Sequence, residues 1–412
     1  FIRIFFYSNK KNTLNFRLTL RLFKDTIMII GIPKEILENE KRVAAIPSTV
    51  KEYIKKGMEV IVESGAGLGS FISDEEYTNA GAAIVNDVRD VYSKADFILK
   101  VNSPIEDSQS GVHEADMLKD GSAFVSFFQT TMEKESVQKF VSKKITGFSM
   151  HLVPRTTLAQ KMDALSSQSN IAGYKAVLLG ASHIAKYMPL LMTAAGTIQP
   201  SKVLIIGAGV AGLQAIATAK RLGAQVEAFD VRPVVKEQVE SLGAKFVEVP
   251  SDDNDGVGEG GYAKETSDEY KRKQAELIKE HIAKSDLVVT TALIPGRAAP
   301  KIITKEMVGG MRGGSAIMDL ASENGGNCEL TEPGKAIERD GVIIDGSFNI
   351  PSTMPAHASQ VYAKNISALV NYICPEGLLN LDMEDEITSG SMFTNNGEIT
   401  NEQTAKALKG DS

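Results

Sequence analysis

The chain has 412 residues, 43% of them hydrophobic and 24% charged, with no tryptophan and a net charge of -7. That length accommodates two domains with separate cores, and an acidic chain with no basic stripe excludes a general nucleic-acid binder. Two distant cysteines and five scattered histidines lack metal-ligand spacing, so no metal site is expected, and no apolar run reaches the roughly 18 residues of a membrane helix.

Residues 1–27 are rich in Arg, Lys, Phe and Asn with one acid, Asp25. A transit peptide is basic and acid-poor in this way. Upstream sequence read in frame before Met28 is the simpler account, because "MIIGIPKE" opens a clean strand and turn. The status of this extension is left open.

From Met28, short apolar runs alternate with amphipathic stretches. "MIIGIP", "MEVIVESG", "AAIVN", "DFILKV", "SAFVSFF" and "ITGFSM" read as strands, with helices predicted over "IPSTVKEYIKKG", "SDEEYTNAG" and "KESVQKFVSKK" between them. Strand–helix alternation implies a parallel α/β sheet. A polar segment follows, "RTTLAQKMDALSSQSN" at 155–170, holding Arg155, Gln160, Asp163 and Ser166. Its residue types alone are those of a solvated connector or of a loop that holds something.

Residues 171–195 are predicted as one long helix ending near Gly196 and leading into a second α/β unit. Later strands of that unit are expected at "DLVVTTALIPG", "GSAIMDLAS" and "GVIIDG". A second long helix, 357–373, would return the chain to the first domain. The expected domains are therefore 28–165, completed by about 350–412, and 166–349.

The second unit opens with "VLIIGAGVAGLQ". Gly207, Gly209 and Gly212 form GxGxxG between a strand and a helix, the context in which that spacing binds a dinucleotide. The first glycine permits the tight turn, the second lets the backbone approach a pyrophosphate, and the third lets helix and strand pack closely. Asp230 ends the next strand, 23 residues after Gly207. Its carboxylate would accept hydrogen bonds from a ribose diol and repel a 2'-phosphate, which favours NAD(H), although Arg232 nearby suits a 2'-phosphate. Val210, Val231 and Leu293 complete the expected cofactor contacts, with Leu293 at the sheet's carboxyl edge. A glycine cluster at 255–265 is either a surface loop or a lid that brings Gly261 and Tyr262 over the nucleotide. The fold class expected is α/β, two Rossmann-like parallel-sheet domains with the cofactor cleft between them.

"GIPKEILENEKRVAAIP", "ADFILKVNSP", "IIGAGVAGLQAIATAKRLGAQVEAFDVRP", "MDLASENGGNCE" and "GSFNIPSTMPAHASQVYAKN" together resemble the alanine dehydrogenase/transhydrogenase family over residues 28–373. Within it, "PRTTLAQKMDALSSQSNIAGYKA" resembles the NAD(H)-binding component of proton-translocating NAD(P) transhydrogenases. The resemblance implies hydride transfer from NADH to NADP+ held on a partner subunit, with a membrane subunit moving protons. It also implies a homodimer placed peripherally at the cytoplasmic or matrix-like face of an energy-transducing membrane. By the same resemblance Arg155 would bind the nicotinamide carboxamide or a phosphate, and Gln160 would reach toward the second nucleotide's ribose. Asp163 and Ser166 would fix the loop and the carboxamide.

Two rival readings are an alanine dehydrogenase-like amino-acid oxidoreductase and a non-catalytic NAD(H)-binding regulatory protein. Alanine dehydrogenases hold a substrate carboxylate at the positions of Arg42 and Lys100 and use a histidine base where this chain has Gln129. Glutamine cannot exchange a proton near neutral pH. Their acid before "GG" falls at Glu323, which does not rebuild that base. Arg42 and Lys100 are thus expected to be structural.

Overall fold

The computed structural model describes residues 27–249, 268–293 and 298–410. These form two large sheets. The first contains β1 (Ile29–Ile32), β2 (Glu59–Glu63), β3 (Ala83–Val85), β4 (Phe97–Leu99), β5 (Ala123–Ser126) and β6 (Thr146–Ser149). These six are parallel in the order 3-2-1-4-5-6. The runs of β1, β4, β5 and β6 are buried on both faces, as central parallel strands covered by helices must be, while β2 and the edge strand β3 are partly exposed. Helices α1 (Pro47–Lys55) and α2 (Lys134–Ser142) are among those connecting them, each carrying its buried residues on one stripe.

A hairpin, β7 (Leu191–Thr193) and β8 (Gly196–Ile198), stands apart from both sheets. The second sheet contains β9 (Lys202–Ile206), β10 (Gln225–Phe229), β11 (Lys245–Val247), β12 (Leu287–Thr290), β13 (Ala316–Asp319), β14 (Ala336–Arg339) and β15 (Val342–Asp345). Its order is 11-10-9-12-13-15-14, parallel except for the edge strand β14. Both sheets therefore reverse direction beside their first strand, between β1 and β4 and between β9 and β12. In open α/β sheets that switch point is where a crevice forms.

Helix α3 (Ala164–His183) carries the chain out of the first sheet toward the second, and helix α5 (Pro355–Ile373) carries it back; between them α4 (Val210–Arg221) follows β9. The carboxyl-terminal strands β16 (Met392–Asn395), antiparallel to β6, and β17 (Glu398–Ile399), antiparallel to β16, then extend the first sheet. Phe393 anchors them, its ring 4.6 Å from Phe128 and 5.6 Å from Phe140. This tail, which reads as polar in sequence, is thus built into the first sheet's core.

The long helix expected over 171–195 is corrected. It begins at Ala164 and ends at His183, where Ile184 turns to an extended backbone with ψ 144°. Pro189 lacks an N–H and could not sit in a continuing helix, so the apolar residues beyond it form the β7–β8 hairpin instead. Among the described residues, no helix is long and apolar enough to cross a membrane.

Candidate functional site

The second sheet's crevice is built by the turn from β9 into α4. Gly207 sits at φ +98°, a left-handed conformation that side chains resist, and its N–H donates to the Phe229 carbonyl. A Cβ on Gly212 would lie 1.8 Å from the Gly207 carbonyl oxygen, so only glycine lets the helix start this close to the strand. At Gly209 the opposite holds: an added Cβ would meet nothing within 4 Å. No side chain caps the first turn of α4, and its N–H groups face the bare backbone of Gly209. A helix amino terminus presented this way suits a phosphate. The site thus fits a dinucleotide's pyrophosphate, and Val210, half-exposed, flanks it.

Asp230 follows β10 and braces this turn, its Oδ2 accepting from the Ala208 N–H at 2.7 Å. The same carboxylate holds Arg232 through both oxygens, at 3.0 Å from Nε and 2.9 Å from Nη2. The arginine that would welcome a 2'-phosphate is therefore directed onto Asp230. Val231 lies between them, partly buried. Leu293 is 50% exposed just past β12. Gly261 and Tyr262, the expected lid residues, lie outside the described residues.

These contrasts give a selective prediction. Gly209→Ala should leave the melting temperature unchanged, because its methyl meets no protein atom. NADH affinity should fall at least tenfold, about 1.4 kcal/mol, because the methyl stands where the pyrophosphate must approach. Parallel thermal melts and NADH fluorescence titrations check this; equal affinity would show that the turn does not carry the phosphates.

The segment from Arg155 to Ser166 is a shaped loop. Ala159 and Met162 are buried, and Asn365 on α5 donates to the Lys161 carbonyl at 2.8 Å. Asp163 caps α3, accepting from the Ser166 N–H at 2.9 Å and from its hydroxyl at 2.5 Å. The structure thus brings Asp163 and Ser166 into contact. Arg155 and Gln160 share the loop, but both are exposed and the Asp163–Ser166 cap is made without their side chains. Beyond the cap, α3 packs against the start of α4: a Cβ on Gly173 would come 2.0 Å from the Ala211 carbonyl, and Asn170 donates to Gln214 at 3.1 Å. The helix that carries this loop therefore leans on the helix that begins at the glycine turn.

The first sheet's crevice is lined by charges that the chain pairs internally. Lys100, beyond β4, lies against Glu114 and 3.6 Å from Glu35, which follows β1; all three side chains are buried. Tyr92 donates to Glu114 at 2.7 Å, and the Val101 N–H donates to Glu35 at 2.6 Å. Burial pushes the Glu35 carboxyl up to about 7 despite the Lys100 ammonium beside it. Arg42 is gripped by both oxygens of Glu40, at 2.9 and 2.7 Å. Burial alone would raise the Glu40 carboxyl, but the Arg42 hydrogen bonds and charge outweigh it and hold it at about 2. Arg42 and Lys100 are satisfied within the protein, as expected. Gln129 is exposed past β5, its N–H donating to Glu133. Glu323 accepts the Asn349 N–H at 2.7 Å. His151 sits beside this strand end. Its Nδ1 accepts from the Phe128 N–H, and burial holds the ring at about 4, so it stays neutral near pH 7. Sequence reasoning missed Glu35, Glu40, Glu114, Gln168 and Asn349; only the closeness of Glu40 to Arg42 was a local signal.

Two doubly wound sheets, one with a glycine turn at its switch point and the other with its crevice lined by paired charges, define a two-domain nucleotide-binding oxidoreductase of the dehydrogenase type. The chain belongs to the alanine dehydrogenase/PNT family: the N-terminal domain model matches residues 31–172 and the C-terminal domain model residues 176–402. It is 48% identical over 379 residues to the NAD(P) transhydrogenase alpha subunit, first segment, of Rhodospirillum rubrum, covering 90% of this chain and 97% of that one. It superposes on the crystal structure of transhydrogenase from Sinorhizobium meliloti with a TM-score of 0.80 and 44% identity, covering 90% of this chain and 99% of that one. Alanine dehydrogenase is the more distant relative, at 30% identity to the Methanococcus maripaludis protein over 92% of this chain and 96% of that one.

Proposed function

We propose that this chain is the NAD(H)-binding component of a proton-translocating NAD(P) transhydrogenase. It would work with an NADP(H)-binding subunit and a proton-conducting membrane subunit, as a homodimer held peripherally at the cytoplasmic or matrix-like face of an energy-transducing membrane. Residues 28–165 with about 350–412 form one domain in this reading, and 166–349 the NAD(H)-binding domain. The observation that carries the proposal is the Arg155–Ser166 loop. It is capped by its own Asp163, displays Arg155 and Gln160, and is carried by the helix that leans on the start of α4.

Bound NADH supplies a hydride from C4 of its nicotinamide, and NADP+ on the partner accepts it. This chain's residues hold and orient. Gly207, Gly209, Val210 and Gly212 present backbone N–H groups to the pyrophosphate, and Asp230 with Val231 and Arg232 forms the adenosine ribose end. Leu293 covers the nicotinamide or a ribose; Gly261 and Tyr262, assigned to the same cofactor, lie outside the described residues. Arg155 engages the nicotinamide carboxamide or a nearby phosphate, Asp163 and Ser166 fix the loop and the carboxamide, and Gln160 reaches toward the second nucleotide's ribose. No proton need leave any of these groups, which suits a site with Gln129 where a base would stand.

The test mixes the purified chain with an NADP(H)-binding transhydrogenase component, NADH and an NADP+ analogue. Rapid reduction of the analogue is expected; binding of NADH without transfer would favour the regulatory reading. L-Alanine with NAD+ should give no NADH, and steady NADH production would establish the amino-acid oxidoreductase reading instead.

A further inference from the structure

Among the described residues, two segments cross between the sheets, α3 outward and the turn from β15 into α5 on the return. One side chain of the first domain touches both. Arg42 donates from Nη1 to Gln168 Oε1 on α3 at 2.9 Å and from Nη2 to Asn349 Oδ1 in the return turn at 2.9 Å. Its Nε and Nη2 also donate to Glu40, whose side chain is fully buried and accepts from Asn349 Nδ2 and Asn102 Nδ2, both at 2.9 Å. Gln168 in turn donates to the Ala358 carbonyl on α5 at 3.0 Å, so both crossing segments are tied to each other as well as to Arg42. Asn349 has φ +49° and its N–H is held by Glu323, whose segment follows β13 of the second sheet. The neighbouring backbone repeats the pattern: the Lys41 N–H donates to Ser352 Oγ, and that hydroxyl donates to the Asn39 carbonyl, both at 2.8 Å.

We infer that Arg42 is a positioning residue for hydride transfer, pinning both crossings so that the Arg155–Ser166 loop keeps one register with the glycine turn. The inference rests on the transhydrogenase reading. A planar guanidinium with five donors can hold a carboxylate and two amides at once, whereas an ammonium has three donors and no fork. Gln168 lies about one helical turn beyond the Asp163 cap, so the grip on it fixes the helix start from which the loop hangs. The partners of the Arg42 side chain lie outside both the glycine turn and the loop. Loosening it should change alignment and leave the binding groups intact.

Two variants separate this role from plain folding. Asn349→Gly removes the amide while keeping the left-handed backbone at home, and Arg42→Lys keeps the charge beside Glu40. In the reconstituted reaction each folded variant should transfer hydride at least tenfold more slowly, with the NADH dissociation constant within about twofold. A merely structural role would lower binding and transfer together, or neither. Spin labels at Glu75→Cys and Glu240→Cys, one exposed site beside each sheet, report the crossing directly. The native Cys328 and Cys374 are buried. Pulsed electron resonance should show one narrow distance in the otherwise unmodified chain and a broadened one in both variants. Unchanged widths, or unchanged transfer in folded variants, would overturn the inference. If the unmodified chain transfers no hydride, the transhydrogenase reading fails, and the label distances still decide whether Arg42 pins the sheets.

Discussion

Gln160→Asn is expected to slow hydride transfer on the order of 100-fold while NADH affinity shifts by no more than about threefold. Gln160 is exposed on a short turn whose neighbours, Ala159 and Met162, are buried and whose following carbonyl, at Lys161, is held by Asn365. The backbone is therefore fixed, and shortening the side chain by one methylene withdraws the amide by about 1 Å from whatever it reaches. Misplacement of that size costs rate far more than affinity when the group acts only on alignment. Stopped-flow transfer with a partner component, beside an NADH titration, separates the two. Equal losses would assign Gln160 to cofactor binding and remove the loop's part in the reaction.

The second large effect falls on stability. Lys100→Met should cost about 3–5 kcal/mol, because it leaves Glu35 and Glu114 buried without their cation. Adding Glu114→Gln to that variant should recover much of the loss, which urea unfolding at pH 7.5 would register. Two buried carboxylates of this crevice, Glu35 and Glu40, have opposite pH signatures. Glu35 is raised from 4.5 to about 7, so the folded chain keeps a proton that the unfolded chain has released. Its contribution to stability is full below about pH 4.5 and is lost as the pH rises through about 7. Glu40 is lowered to about 2, so its contribution is present above pH 4.5 and is lost as the pH falls toward 2. Glu35→Gln should therefore flatten the decline in stability between pH 4.5 and 7, and an unaltered slope would place that proton elsewhere.

Much of the architecture was legible because parallel strands buried on both faces write themselves as apolar runs, and GxGxxG between a strand and a helix leaves few alternatives. The pairing of Asp163 with Ser166 was expected only from the family resemblance, although the cap joins residues just three apart. What failed was pattern without burial. The β7–β8 strands are mostly exposed, so they show no alternation, and their apolar residues read as a continuation of α3 past Pro189. The Arg42 grip was invisible for another reason. Its partners Gln168 and Asn349 lie 126 and 307 residues away, and nothing local marks a glutamine in a helix as the acceptor of a buried arginine.

The central claim is that this chain holds NADH for direct transfer to a second nucleotide. It is tested most directly by following deuterium from NADH labelled at the transferring C4 position, with this chain, an NADP(H)-binding component and NADP+ in ordinary water. The account predicts that the NADPH formed retains the deuterium, with no exchange into solvent, since no group at the site need take up a proton. NADPH formed without the label, or no NADPH despite NADH binding at the glycine turn, would contradict it.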